Sequence, residues 1–143
     1  LLPRPQRPGG PPIVIGGNGI KLTLPMVAFY ADEWNAVLIP AEKFEELNRV
    51  VDTYLRENER DPASVRRTMM TGLRFGRSAD ELREQMKGRG ADELRERGII
   101  FGEPGQVKDQ LARLEQAGVQ RVMLQWLDLD GIDRLEALAK AVL

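Results

Sequence analysis

Short apolar segments alternate with longer amphipathic segments four times along this 143-residue chain. The apolar segments are Ile13-Val14-Ile15, residues 34–39, residues 67–75 and residues 119–127. They are continuous apolar runs, which is typical of strands covered on both faces. Strands that alternate with helices imply a parallel sheet with right-handed crossovers. The chain is therefore predicted to have an α/β fold.

The segments between the strands carry helix signals. Phe44, Leu47, Val51 and Leu55 lie on one stripe of an amphipathic helix. Ser78 precedes the next helix as an N-cap residue, with Glu81 three residues later. The predicted helices cover residues 20–30, 41–60, 91–97, 104–117 and 132–143, with a further one starting at residue 79. Ile99-Ile100-Phe101 is interpreted only as a short apolar segment.

Composition excludes several classes of function. Hydrophobic residues make up 42% and charged residues 30%, as in a globular domain, and the net charge of −1 provides no field for nucleic acid or an anionic membrane. The chain has no Cys and no His, which removes thiolate metal sites and the most common general base. No apolar run reaches the roughly 18–20 residues of a membrane span. We expect a cytoplasmic setting and no metal site.

Residues 1–12 are rich in proline and glycine, so they are predicted to form an extended lead-in to a domain at residues 13–143. The chain begins Leu1-Leu2-Pro3-Arg4, without an initiator Met or the pattern of a signal peptide. We expect that it is processed or was cut from something longer.

The most site-like feature is Gly16-Gly17-Asn18-Gly19, which follows a strand and precedes a helix. A glycine-rich turn at this point leaves backbone N–H groups unshielded near the positive end of the helix dipole, which favours phosphate. Lys21 would add a positive charge. The alternative is a tight turn that needs positive φ and has no ligand. The spacing matches neither a dinucleotide fingerprint nor a P-loop.

Five other positions carry charge near predicted strand ends. Asp32 and Glu33 precede the second strand and are interpreted as structural, because barrel active sites lie at the opposite strand end. Asp128 and Asp130 follow the fourth strand, where capping of the last helix is favoured over ligand binding. Arg74, near the end of the third strand, is either a ligand for an anion or a solvated arginine, and the second interpretation is favoured.

Several segments together resemble the second half of luciferase-like monooxygenase family proteins, especially those that use the deazaflavin coenzyme F420. The resemblance begins at residues 5–8 and continues through the glycine loop (11–19) and residues 28–35. Further matching segments, in the same order, are residues 60–64, 102–107, 117–119 and 122–125. It covers nearly the whole chain.

This resemblance implies a (β/α)8 barrel that binds FMN or F420 and transfers hydride at the ring. It implies that Gly16 and Gly17 hold the cofactor phosphate through backbone amides, with Asn18 and Gly19 in the same loop. Leu38 and Ile39, at the end of the next strand, would lie beside it.

A complete barrel needs about 250 residues, so the chain is expected to provide four strands, numbers 5–8 of the parent barrel. Four open strands leave two unpaired edges and an interior face that we expect to be apolar. We therefore expect self-association, or pairing with an N-terminal half-barrel, and no catalysis by the isolated chain. The alternative function is a non-catalytic half-barrel module that binds a phosphorylated ligand or a partner chain.

Overall fold

The computed structural model describes residues 3–127 and 131–142 and contains one parallel sheet. Its strands are β1 (Val14–Gly16), β2 (Glu33–Val37), β3 (Arg66–Phe75), β4 (Ile100–Gly102) and β5 (Arg121–Gln125). The helices are α1 (Thr23–Tyr30), α2 (Ala41–Glu57), α3 (Ala79–Met86), α4 (Ala91–Glu96), α5 (Pro104–Gln116) and α6 (Ile132–Val142), with a 3-10 turn at Pro62–Ser64. Residues 3–12 contain neither helix nor strand. The predicted alternation of strands and helices is confirmed.

The sheet divides at β3, which is longer than its neighbours. Strand β1 pairs with β2, and β2 pairs with β3. On the edge away from β2, residues 68–72 of β3 pair with β5, whereas β4 pairs with residues 73–75 beyond the end of β2. All four pairings are parallel. The four predicted strands are present, and the apolar segment at residues 99–101 contributes the additional short strand β4.

The core lies between the sheet and the helices. Trp34 of β2 stacks on Phe44 of α2, with ring centroids 5.0 Å apart, and both side chains are fully buried. Stacked aromatic pairs add about 0.5–1.5 kcal/mol to the effect of burial alone. Met69 and Leu73 of β3 extend this cluster along the strand. The predicted stripe Phe44, Leu47, Val51 and Leu55 is buried throughout, which confirms the amphipathic reading of α2.

The opposite face of the sheet carries polar side chains. In-register partners in a parallel sheet lie on the same face, and the register places Asn35 opposite Thr68, and Thr68 opposite Arg121. Thr68 donates to a carboxylate oxygen of Glu33 at 2.9 Å, and Arg121 also pairs with Glu33. The expectation of an apolar interior face is therefore wrong for the amino-terminal parts of β2, β3 and β5, where these polar side chains lie. Periodicity failed here because runs that are buried on both faces hide which residues line the interior.

The helix boundaries follow the predicted signals. The Ser78 hydroxyl accepts from the Glu81 backbone amide at the start of α3. Glu103 and Gln106 form a reciprocal capping box at the start of α5, and Gly118 has φ +98° just after the end of that helix. Within the described ranges, none of the helices has the length and apolarity that crossing a bilayer requires.

Candidate functional site

The glycine loop lies at the carboxyl end of β1, where the sheet presents its active-site edge in barrel enzymes. Gly17 has φ +124°, a conformation that favours glycine. Its N–H donates to the carbonyl oxygen of Asn35 at 3.0 Å. The expectation that the Gly17 amide is free for phosphate is therefore wrong, because pairing with β2 uses it. Successive N–H groups of a strand point to opposite edges, so the Gly16 N–H faces the unpaired edge of β1.

Asn18 attaches the loop to β2. Its side-chain amide donates to the Val37 carbonyl oxygen at 2.7 Å, and its side-chain oxygen accepts from the Val37 N–H at 3.0 Å. The Trp34 indole N–H donates to the Gly17 carbonyl oxygen at 2.8 Å. The Asn18 side chain thus continues the hydrogen-bonding ladder of β2 beyond the last residue of β1.

Three consecutive backbone amides in the loop remain available. The N–H groups of Asn18, Gly19 and Ile20 have no acceptor in the described part of the chain, whereas the Gly19 carbonyl oxygen accepts from Leu24 N–H at 3.0 Å. This last bond folds the start of α1 back onto the loop. Of the pair that the family resemblance implied, the Gly17 amide is used and the Gly16 amide is open, and the three further open amides lie one to three residues after Gly17.

Thr23, the first residue of α1, is a component of the site that the sequence interpretation missed. A Cβ placed on Gly19 would lie 2.9 Å from the Thr23 hydroxyl oxygen, and one on Gly17 would lie 3.3 Å from the Thr23 methyl carbon. The two glycines thus leave a recess against which Thr23 packs. The signal was present in the sequence as a hydroxyl residue in the first helical turn after a glycine-rich loop.

The other three predicted cofactor contacts, Lys21, Leu38 and Ile39, have different surroundings. Lys21 is exposed and makes no ion pair with any described residue. Leu38 has φ +50° and donates its N–H to the Met70 carbonyl oxygen at 3.0 Å, so it lies directly after the Val37 contact of the loop. Ile39 instead packs on the core, and its backbone contacts Gly98, where an added Cβ would lie 2.1 Å from it. This gives Ile39 a packing role.

The carboxylates at the start of β2 are at the opposite end of the sheet. Asp32 accepts from the Ile13 backbone N–H at 2.7 Å, and Glu33 binds Thr68 and Arg121. Both make hydrogen bonds that tie strand ends together. The geometry agrees with the structural role predicted for them.

The remaining charged candidates have different outcomes. Arg74 is half-buried and lines a cavity at the carboxyl ends of β3 and β5, so the solvated interpretation is wrong. The hypothesis for Asp128 and Asp130 falls outside the described residues. Among residues 3–127 and 131–142, no three carboxylates are grouped as a metal ion would require.

Several solved structures with the same fold carry the names of reductases or monooxygenases. The coenzyme F420-dependent tetrahydromethanopterin reductase from Methanopyrus kandleri is 14% identical, with a TM-score of 0.76 over 92% of this chain and 50% of its own. EDTA monooxygenase from Chelativorans sp. BNC1 is 15% identical, with a TM-score of 0.73 over 99% of this chain and 45% of its own.

A third similar structure is the oxygenating constituent of 3,6-diketocamphane monooxygenase from Pseudomonas putida in complex with FMN. It is 11% identical, with a TM-score of 0.69 over 93% of this chain and 48% of its own. No family model and no curated protein matches the chain.

The chain spans about half the length of each of these structures. Identities this low establish the fold, and the fold is the one that the resemblance to luciferase-like monooxygenases implied. The described chain therefore has the fold of one half of a (β/α)8 barrel of the kind found in F420- and FMN-dependent reductases and monooxygenases.

Proposed function

We propose that this chain is the second half of an F420- or FMN-dependent oxidoreductase and that its glycine loop holds the cofactor phosphate. The observation that carries this proposal is the run of three acceptor-free amides at Asn18, Gly19 and Ile20, next to the recess at Gly17 and Gly19. The similar structures support the choice of cofactor class, since their names include both F420 and FMN.

The physical case for phosphate rests on charge and shape. Backbone N–H groups before a helix carry partial positive charge, and the α1 dipole adds to it. The Thr23 hydroxyl can donate to a phosphate oxygen from the first turn, and Lys21 supplies a full charge nearby. Because Gly19 has no side chain, an anion can approach the backbone closely.

In the proposed enzyme the bound deazaflavin or flavin supplies hydride transfer. The residues of this chain bind the phosphate, fix the loop through Asn18 and shield one side of the ring pocket. The substrate pocket and the proton-handling groups belong to the other half of the barrel in this proposal. The isolated chain is accordingly proposed to bind cofactor without turning over substrate.

Exposed apolar side chains support the need for a second half-barrel. In the described chain, every large hydrophobic residue that is strongly exposed lies in residues 13–30 or 127–135. The first group surrounds the edge strand β1 and includes Leu22, 79% exposed, and Phe29, 59% exposed. The second follows the edge strand β5 and includes Ile132, 64% exposed. Both surfaces lie where a complete barrel would continue.

The test is titration of the purified chain with FMN and with F420, followed by quenching of cofactor fluorescence. Gly19→Asp should abolish binding by filling the recess and repelling phosphate, and Thr23→Val should weaken it about tenfold by removing one hydrogen bond. Gly90→Asp is the matched control, because a Cβ at Gly90 meets nothing within 4 Å.

Equal binding by the wild-type chain and Gly19→Asp would exclude the loop as the phosphate site. If neither cofactor binds at a hundredfold excess over protein, the proposal is overturned, and a non-catalytic module for a phosphorylated ligand or a partner chain becomes the better account.

A further inference from the structure

A second cavity lies where the partners of β3 change. Strand β5 pairs with β3 only as far as Gly72, so residues 73–75 of β3 extend beyond it, and β4 pairs with these residues. The chain after β5 therefore leaves the sheet at Trp126, and a gap opens beside Arg74. This gap has a volume of about 160 Å³, large enough for a carboxylate or phosphate group.

Among the described residues, none supplies a counter-charge to the Arg74 guanidinium in this cavity. One terminal nitrogen donates to the neighbouring Leu73 carbonyl oxygen at 2.8 Å. The Nε atom is buried without a hydrogen-bond partner, and Arg74 forms no ion pair in the described chain. Guanidinium remains protonated in proteins, and a charge that is withdrawn from water without a partner is costly. Such a group is stabilised when a ligand supplies the anion.

The rest of the lining selects the kind of anion. Lys87, which follows α3, adds a second positive charge, and no carboxylate is found in the described lining. Gln85 provides a neutral donor. Trp126 and Leu127 form an apolar wall beside the charged groups. Arginine binds carboxylate and phosphate through two parallel hydrogen bonds, while the wall suits a hydrocarbon or aromatic body.

We propose that this cavity binds the anionic group of an organic acid, with Arg74 as the principal ligand and Lys87 as the second. The inference does not depend on the glycine loop, because the two strand ends are separated by two strand spacings, about 10 Å. Both lie towards the carboxyl ends of the strands. The cavity is therefore placed to hold the acid group of a molecule that enters the same mouth.

The two tryptophans of the chain allow the sites to be observed separately. The Trp34 indole N–H contacts the glycine loop, and Trp126 lines the Arg74 cavity. Two-dimensional ¹H–¹⁵N spectra can follow both indole signals while sodium phosphate or sodium benzoate is added at constant ionic strength. Saturable movement of the Trp126 signal is expected with both anions, at lower concentration for benzoate because of its aromatic body.

Arg74→Gln should weaken this response at least tenfold, and Lys87→Gln should weaken it severalfold. Arg83→Gln on the exposed face of α3 is the matched control and should leave it unchanged, since Arg83 is 76% exposed and pairs with Asp80. Without added anion, Arg74→Gln should also raise the thermal unfolding midpoint by removing an unpaired charge.

Saturation of the Trp126 signal with the same midpoint in the wild-type chain and in Arg74→Gln would overturn the assignment, as would its failure to move with either anion. Movement of Trp34 alone would support the glycine loop and exclude this second site. Movement of the Trp126 signal alone would support the second site and exclude the glycine loop as a phosphate site.

Discussion

The Asn18 side chain makes two hydrogen bonds to the backbone of Val37, one to its N–H and one to its carbonyl oxygen. This pair connects the loop after β1 to the end of β2 across 19 positions of sequence. It fixes the loop without using the amides of Asn18, Gly19 and Ile20, which are left for a ligand. Asn18 is thus a positioning residue in the proposed site.

Asn18→Ala should lower both stability and cofactor affinity. The substitution leaves the Val37 N–H and carbonyl oxygen without partners, which costs about 1–3 kcal/mol, and it releases the loop. We expect FMN or F420 affinity to fall at least tenfold, measured by fluorescence titration, with the stability change measured by urea unfolding.

Asn58→Ala is the control for this prediction, because the Asn58 side chain also donates to a backbone carbonyl, that of Tyr54 at the end of α2. It should reduce stability and leave cofactor affinity unchanged. A loss of affinity that scales with stability in both variants would contradict a positioning role for Asn18.

The Glu33–Arg121 pair should matter for stability and leave cofactor binding unaffected. The Glu33 side chain is 10% exposed, and its partners Thr68 and Arg121 come from two other strands at the amino ends of the sheet. Arg121→Gln removes a charged partner from a buried carboxylate and should cost about 1–3 kcal/mol in urea unfolding.

The exposed pair of Arg49 and Glu45 provides the comparison for Arg121. Their side chains are 72% and 53% exposed, so Arg49→Gln should cost no more than about 0.5 kcal/mol. Unequal cofactor affinities in Arg121→Gln and Arg49→Gln would return Glu33 to consideration as part of the binding site.

Local sequence patterns predicted the major strands and helices. A strand that is buried on both faces consists largely of apolar residues, and a helix that packs on a sheet carries an apolar stripe. These patterns marked residues 99–101 as apolar but did not predict strand β4, because its pairing with the end of β3 depends on the tertiary fold. They also did not reveal that Glu33, Thr68 and Arg121 share one face, since that depends on the register of three strands.

The candidate site was predictable in location and less so in detail. The glycine turn after β1 is visible in sequence, but which of its amides are free depends on the pairing of Gly17 with Asn35. The Arg74 cavity depends on the point at which β5 stops pairing with β3, and no local pattern encodes that point.

Acid should loosen the first turn of α3. Side-chain and backbone hydrogen bonds from Arg77 lower the pKa of Glu81 to about 2 from an ordinary value of 4.5. Because the pKa is lower in the folded chain, this stabilisation is fully present above pH 4.5 and is lost as the pH falls towards 2. The carboxyl ¹³C signal of Glu81 should titrate near pH 2.

Arg77→Gln should move the Glu81 midpoint up towards 4.5 by removing the charged donor. Since α3 contains Gln85 and is followed by Lys87, both at the second cavity, the variant should also shift their amide signals at neutral pH. A Glu81 midpoint that stays the same after Arg77 is replaced would show that the ion pair does not form in solution.

The apolar surface at β1 and α1 should drive association of the isolated chain. Met26 and Phe29 are 49% and 59% exposed on α1, beside the unpaired edge of β1. Met26→Ser with Phe29→Ser should weaken self-association at least tenfold in sedimentation velocity. It should change stability by no more than about 0.5 kcal/mol per site, because exposed side chains contribute little to folding.

Arg49→Ser, on the exposed side of α2, is the control and should leave self-association unchanged. If the double variant sediments like the wild-type chain at every concentration, the open edge at β1 is not the contact surface, and the edge at β5 with Leu127, Ile132 and Leu135 should be altered next.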